Sequence, residues 1–215
     1  MNIPGDWPLS ADAGRPSDWT DALYGRLFQQ RTVVAAAQLN EESASDLVAQ
    51  LMTLDATGDE PISLRIANWT GTLGAALSVI DVIDSLGVPV HATATGLVEG
   101  PPMAVLATCA HRWVSAHSRM KLCGEELSFN GPARLVESWL CEQNERLMAL
   151  AGCIARSSSK HADEVLEDLK ANRYLSASEA IRYGLADEIL ATDARVLPFR
   201  SNVDRPTVGF RPTTS

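Results

Sequence analysis

Apolar positions along this chain switch repeatedly between two periods, and the switching outlines a fold. Thr32 to Ala37 is a run of β-branched and small apolar residues of strand type. Asn40 follows as an N-cap, and Ala44, Leu47, Val48, Leu51 and Leu54 then recur on one face of a helix. Ile62 to Ile66 returns to period two, with a polar turn expected at Ala67 to Thr72. Leu73, Leu77, Ile80 and Ile83 predict a second helix, and Val88 to Ala94, set off by Gly87 and Pro89, a third strand. Gly96 to Pro102 reads as a turn rich in glycine and proline, leading into an apolar helix at Met103 to Ala110. Arg112 to Ala116 is a further strand.

Strands alternating with helices imply βαβ units, hence a parallel sheet with right-handed crossovers. From Pro132 to about Arg156 the pattern becomes one long amphipathic helix carrying Leu135, Trp139, Leu140, Leu147, Leu150 and Ile154. A shorter helix is expected at His161 to Lys170. Ser176 and Glu179 stand at capping-box spacing before another helix, which Gly184 ends, and Leu185 to Leu190 closes the domain. Residues 1–21, with Pro4, Pro8 and Pro16, read as a flexible N-terminal arm. Residues 193–215, with Pro198, Pro206 and Pro212, read as a disordered or extended tail, leaving one domain over 22–192.

Composition narrows the function classes. Of 215 residues, 46% are apolar and 21% charged, a globular balance with enough chain for one full core. The net charge of -9, with 18 basic residues scattered, argues against nucleic-acid or anionic-membrane binding. Nothing resembles a bilayer span or a signal peptide, so a cytoplasmic location is expected. Cys109, Cys123, Cys141 and Cys153 form no C-x-x-C pair and have no histidine at zinc-ligand spacing, so neither metal nor cofactor is expected.

Several segments then resemble one family, the proteolytic subunit of the Clp protease. Leu23 to Val33, L-Y-G-R-L-F-Q-Q-R-T-V, is similar to the family's approach to its first strand, and Leu47 to Leu54 to its first helix. Tyr174 to Ile189, Y-L-S-A-S-E-A-I-R-Y-G-L-A-D-E-I, resembles the family's ending F-M/L-S-A-x-E-A-x-x-Y-G-L-x-D-x-I. The resemblance covers roughly residues 22 to 192. It implies a crotonase-like α/β spiral of ββα units with the long helix as a protruding handle. In the family, such handles join two rings into a chamber that an ATP-driven AAA+ unfoldase feeds. The resemblance therefore also implies an oligomer, of this chain with itself or with an active Clp subunit.

The family's chemistry needs a serine nucleophile, an imidazole base, an orienting carboxylate and donors for the oxyanion. Its G-x-A-A-S-M-G turn matches Gly96 to Pro102, which places Gly100 at the nucleophile position. Its S-R-x-M-I-H strand matches Ser118 to Cys123, which places Cys123 at the histidine position. The carboxylate position falls on Asp168. Of the N-S-P-G-G-S turn, Gly71 is kept, but Thr70 replaces the first glycine, and Pro101 supplies no N–H where the second donor belongs. His91, His111, His117 and His161 are expected in structural or surface roles. A subunit without peptidase activity is therefore expected, in a structural or regulatory ring role. The alternative is an enzyme of other, carboxylate-based chemistry, in which Glu99, Glu125 and Asp168 would approach the old pocket with Cys123. Glu99, beside Gly100, is the suggestive residue there; its simpler role is to favour the positive end of the following helix.

Overall fold

A computed structural model gives the fold for residues 16–125 and 130–190. In chain order the elements are α1 (Pro16–Gln29), β1 (Thr32–Leu39), α2 (Glu41–Ala56), β2 (Ile62–Gly71), α3 (Leu73–Ser85) and β3 (Val90–Glu99). They continue with α4 (Pro102–Thr108), β4 (His111–Val114), β5 (Arg119–Leu122), a 3-10 turn (Ala133–Leu135) and α5 (Val136–Ser157). The described chain ends with α6 (Ala162–Lys170), β6 (Arg173–Ser176), α7 (Ala177–Tyr183) and β7 (Glu188–Ile189). The fold is the expected mixed α/β one. Its sheet runs β1-β2-β3-β4-β7 in parallel, as the strand–helix alternation implies.

Two departures at the ends matter for how the sequence is read. Helix α1 starts at Pro16, inside the expected arm; proline suits a first helical turn, where its missing N–H has no partner to lose. Residues 1–15 and the expected tail lie outside the described residues. Strand β6, which matches no strand expected from the sequence, pairs antiparallel with β5.

The core lies between the sheet and helices α2, α3 and α4. Leu47, Leu51 and Leu54 of α2, Val79 and Ile80 of α3 and Met103 and Leu106 of α4 are buried with Leu64, Ile66, Ala92 and Ala94 of the strands. Asn40 caps α2 through its side chain, which accepts from Ser43 N at 2.9 Å. At that site Ser43 returns a bond to the Asn40 backbone, completing a capping box.

A line of irregularity crosses the sheet. The β1–β2 register shifts between Ala36 and Ala37, and the β2–β3 register shifts between Ala67 and Trp69. Ala37, Asn68 and Gly96 there adopt φ of 67°, 48° and 70°. Asn68 tolerates this region, and its Oδ1 accepts from Leu97 N at 3.1 Å, replacing a ladder bond. The same amide fills the space that a side chain at Gly96 would need. The turns expected at Ala67 to Thr72 and Gly96 to Pro102 are therefore largely strand: β2 and β3 pass through the bulges and continue to Gly71 and Glu99.

Beyond the bulge β3 changes neighbour. His91 to Ala94 pair with β4, whereas Leu97 to Glu99 pair with β5. The sheet splits at this level, and the split opens a cavity beside the ends of β2, β3 and β5.

The segment Tyr183 to Asp187 locks the last elements to the sheet. Gly184 ends α7 with φ 88°, a left-handed cap that also lies too close to Ser158 for a side chain. Leu185 is buried, and Asp187 receives Arg112 in a two-point pair, Nη2 to Oδ1 at 2.6 Å and Nε to Oδ2 at 3.1 Å. Arg112 also donates its backbone N–H to Asp187 at 2.7 Å and Nη1 to the Gly184 carbonyl at 2.8 Å.

Candidate functional site

The cavity has a volume of about 290 Å³. Strand β2 contributes Thr70 and Gly71, the end of β3 contributes Glu99 with Gly100 and Pro101 after it, and β5 contributes Lys121 with Cys123 and Glu125 beyond it. Gly71 must be glycine, since a β-carbon there would collide with the Leu39 backbone and side chain. Thr70 is exposed. A second hollow of about 430 Å³ adjoins the first at Pro101, Gly124 and Glu125 and extends under Trp139, Leu140 and Leu147 of α5.

Gly100 and Cys123 face one another. A β-carbon built on Gly100 would stand 3.6 Å from Cys123 Sγ, ordinary van der Waals contact. Gly100 itself has φ 66°, where a residue with a side chain is strained. The two positions that the resemblance assigns to nucleophile and base are thus brought together, and they carry no hydroxyl and no imidazole.

Donors for an oxyanion are missing from this turn as well. Gly100 N already donates to the Lys121 carbonyl at 3.1 Å. Pro101 and Pro102 have no N–H. Met103 N donates to the Gly100 carbonyl at 3.0 Å and Ala104 N to the Pro101 carbonyl at 2.9 Å. From Gly100 to Ala104 every backbone N–H is either absent or already engaged, with β5 or within the turn.

The acidic residues are committed elsewhere. Glu99 Oε2 lies 3.5 Å from Lys121 Nζ, and Lys121 stands over the Tyr174 ring at 5.7 Å. Glu99 makes no cap for α4, which has no side-chain cap bond. Glu125 accepts from Leu73 N at 3.1 Å and from Arg146 Nη2 at 3.1 Å, so it serves the N-terminus of α3. Lys121 is held in its charged form: the negative charge that Cys123 can carry raises its pKa most, and Glu99 and Tyr174 add to this against the desolvation that lowers it.

Asp168 does not line the cavity. Its carboxylate accepts from Arg173 Nη1 at 2.9 and 3.1 Å and from Tyr183 Oη at 2.8 Å. Burial, and then the bond to Asp168, push the Tyr183 phenol well above its usual range, so it remains a hydrogen-bond donor. The retained carboxylate therefore ties α6 to β6 and α7.

The histidines are spread over the surface and sheet. His91 and His111 pack with Trp113 on β3 and β4, with ring centroids 5.8 Å and 4.1 Å from the indole. His117 and His161 are exposed. Cys109 is buried, its thiol donates to the Val105 carbonyl at 3.4 Å, and burial pushes its pKa up to about 12. Among the described residues no cluster suits a metal ion, and no helix is long and apolar enough to cross a membrane.

Sequence reasoning missed Lys121, Arg146, Arg173 and Tyr183. For Lys121 a signal existed: it stands only two residues before Cys123, and the two line one cavity. The partners of Arg146 and Tyr183 lie 21 and 15 residues away, beyond any local pattern.

Comparison with known proteins gives one consistent relation. The model of the Clp protease family matches residues 15–193. An ATP-dependent Clp protease proteolytic subunit 4 of Rhodococcus jostii is 30% identical over 176 residues, covering 79% of this chain and 89% of the relative. A subunit 2 from Chlamydia trachomatis is 27% identical over 186 residues, 84% of this chain and 90% of the relative. The chloroplastic subunit 4 of Arabidopsis thaliana is 28% identical over 210 residues, 94% of this chain and 69% of the relative.

Proposed function

The chain belongs to the Clp protease family, and from that premise we propose that it is a Clp proteolytic-type subunit without peptidase activity of its own, serving a structural or regulatory role in a ring. One observation carries this reading: the turn Gly100–Pro101–Pro102 faces Cys123 across the cavity and offers neither a nucleophilic hydroxyl nor an oxyanion donor. A serine peptidase without these has no way to start acyl transfer or to stabilise its tetrahedral intermediate. Glu99 and Glu125 are each paired with a cation, which counts against the carboxylate-based alternative.

Assembly is supported by the exposed apolar side chains on α5 and just before it. Leu135, Val136, Leu140 and Met148 all face solvent in the single chain. Trp139 and Leu147, expected on the same face, are half-buried. The proposed occupant of the α5 surface is a second copy or an active Clp subunit, within a cytoplasmic assembly that an AAA+ unfoldase would feed. The purified chain is expected to leave small fluorogenic peptides intact and to take no fluorophosphonate label. Stoichiometric labelling of any serine would overturn the reading.

A further inference from the structure

The cavity retains a nucleophile of another kind. Lys121, near the end of β5, and Cys123, the residue just after that strand, both line the cavity with Glu99. Lys121 Nζ is held by Glu99 Oε2 at 3.5 Å, in the same cavity that the Cys123 thiol lines. The absent side chain at Gly100 leaves space next to Sγ, since a β-carbon there would already be at 3.6 Å.

We propose that Cys123, Lys121 and Glu99 form a thiol-exchange site that takes a small uncharged disulfide and retains half of it as a mixed disulfide. The inference is independent of the loss of peptide hydrolysis. The nearby charges pair among themselves, Glu99 with Lys121 and Glu125 with Arg146, so the cavity favours a neutral polar ligand over an ion. Its volume of about 290 Å³ suits a molecule of roughly ten water volumes.

The step balances without any further oxidant. Ionised Sγ attacks one sulfur of the disulfide, the Sγ–S bond forms as the S–S bond breaks, and the leaving thiolate takes a proton from water. Cys123 is oxidised and one half of the disulfide is reduced. The ammonium of Lys121 favours the attacking thiolate and the departing one alike.

The test treats the folded, full-length protein with 2-hydroxyethyl disulfide at about pH 7, below the ordinary thiol range, and maps adducts by peptide mass spectrometry over time. Cys123 is expected to gain one mercaptoethanol group ahead of the exposed Cys141. Lys121→Met should slow Cys123 roughly threefold for each tenfold loss of thiolate, because nucleophilicity rises partly in compensation, while Cys141 keeps its rate. Gly100→Ala, which fills the space beside Sγ, should slow it as well; should that variant fail to fold, Lys121→Met decides alone. Modification of Cys123 only after unfolding, or at a rate unchanged by Lys121→Met, overturns the proposal.

Discussion

Restoring the serine to position 100 should not restore a peptidase, and the structure orders the reasons. Gly100 has φ 66°, so Gly100→Ser pays backbone strain of about 1–2 kcal/mol before any chemistry is considered. The new hydroxyl would meet the Cys123 thiol rather than an imidazole, so the single variant should show no turnover above background. Gly100→Ser with Cys123→His supplies the base but not its surroundings. Pro101 still offers no N–H, and a missing oxyanion donor costs a factor of about 10²–10³ in turnover. Asp168 is held by Arg173 and Tyr183, so it cannot orient the new imidazole without giving up those bonds. A wrongly oriented base costs about 10⁴ in other triads, and such losses do not simply add. Adding Pro101→Met returns the donor and should raise the rate by up to about 10²-fold over the double variant. Fluorogenic-peptide turnover, normalised by fluorophosphonate titration of active serine, measures the series. Robust activity in Gly100→Ser alone would mean that another residue already acts as the base, and the placement of the site would be wrong. A triple variant no faster than the double would remove Pro101 from the explanation.

Two further outcomes follow from other parts of the molecule. Burial alone would raise the Asp187 carboxyl, but the side-chain and backbone bonds from Arg112 outweigh it and hold the group below the ordinary carboxylate range. A lowered folded pKa contributes stability that is present above the unfolded value, about 3.9, and is lost as pH falls through the folded value. Asp187→Asn should therefore lower stability at neutral pH by about 2 kcal/mol, discounted for partial exposure, with the gap to wild type closing below about pH 4 in urea titrations. Leu140→Glu should shift the size distribution by light scattering toward the single chain of 23.1 kDa, since Leu140 is 54% exposed and its loss leaves the core alone. Wild-type protein already at that mass across micromolar concentrations would count against ring assembly.

Much of this protein is local and therefore legible along the chain. The periods of two and 3.6, the caps at Asn40 and Ser176 and the left-handed stop at Gly184 each depend on a few neighbouring residues. So does the chemical poverty of the turn at Gly100, since a missing side chain and two missing N–H groups are properties of residue types alone. The tertiary structure decided what depends on strands meeting. Ala37, Asn68 and Gly96 are far apart in sequence, and only their alignment across the sheet turns two expected turns into bulged strands that reach the cavity. Asp168 stands where the family resemblance puts a carboxylate, but its bonds to Arg173 and Tyr183 arise from the packing of α6 against β6 and α7. Glu99 reads as a bare charge beside a helix, and becomes half of an ion pair because β3 leaves β4 and takes β5 as its neighbour, with Glu99 opposite Lys121. Pairing across strands has no period in the sequence, and that is why folding alone fixes which charges cancel.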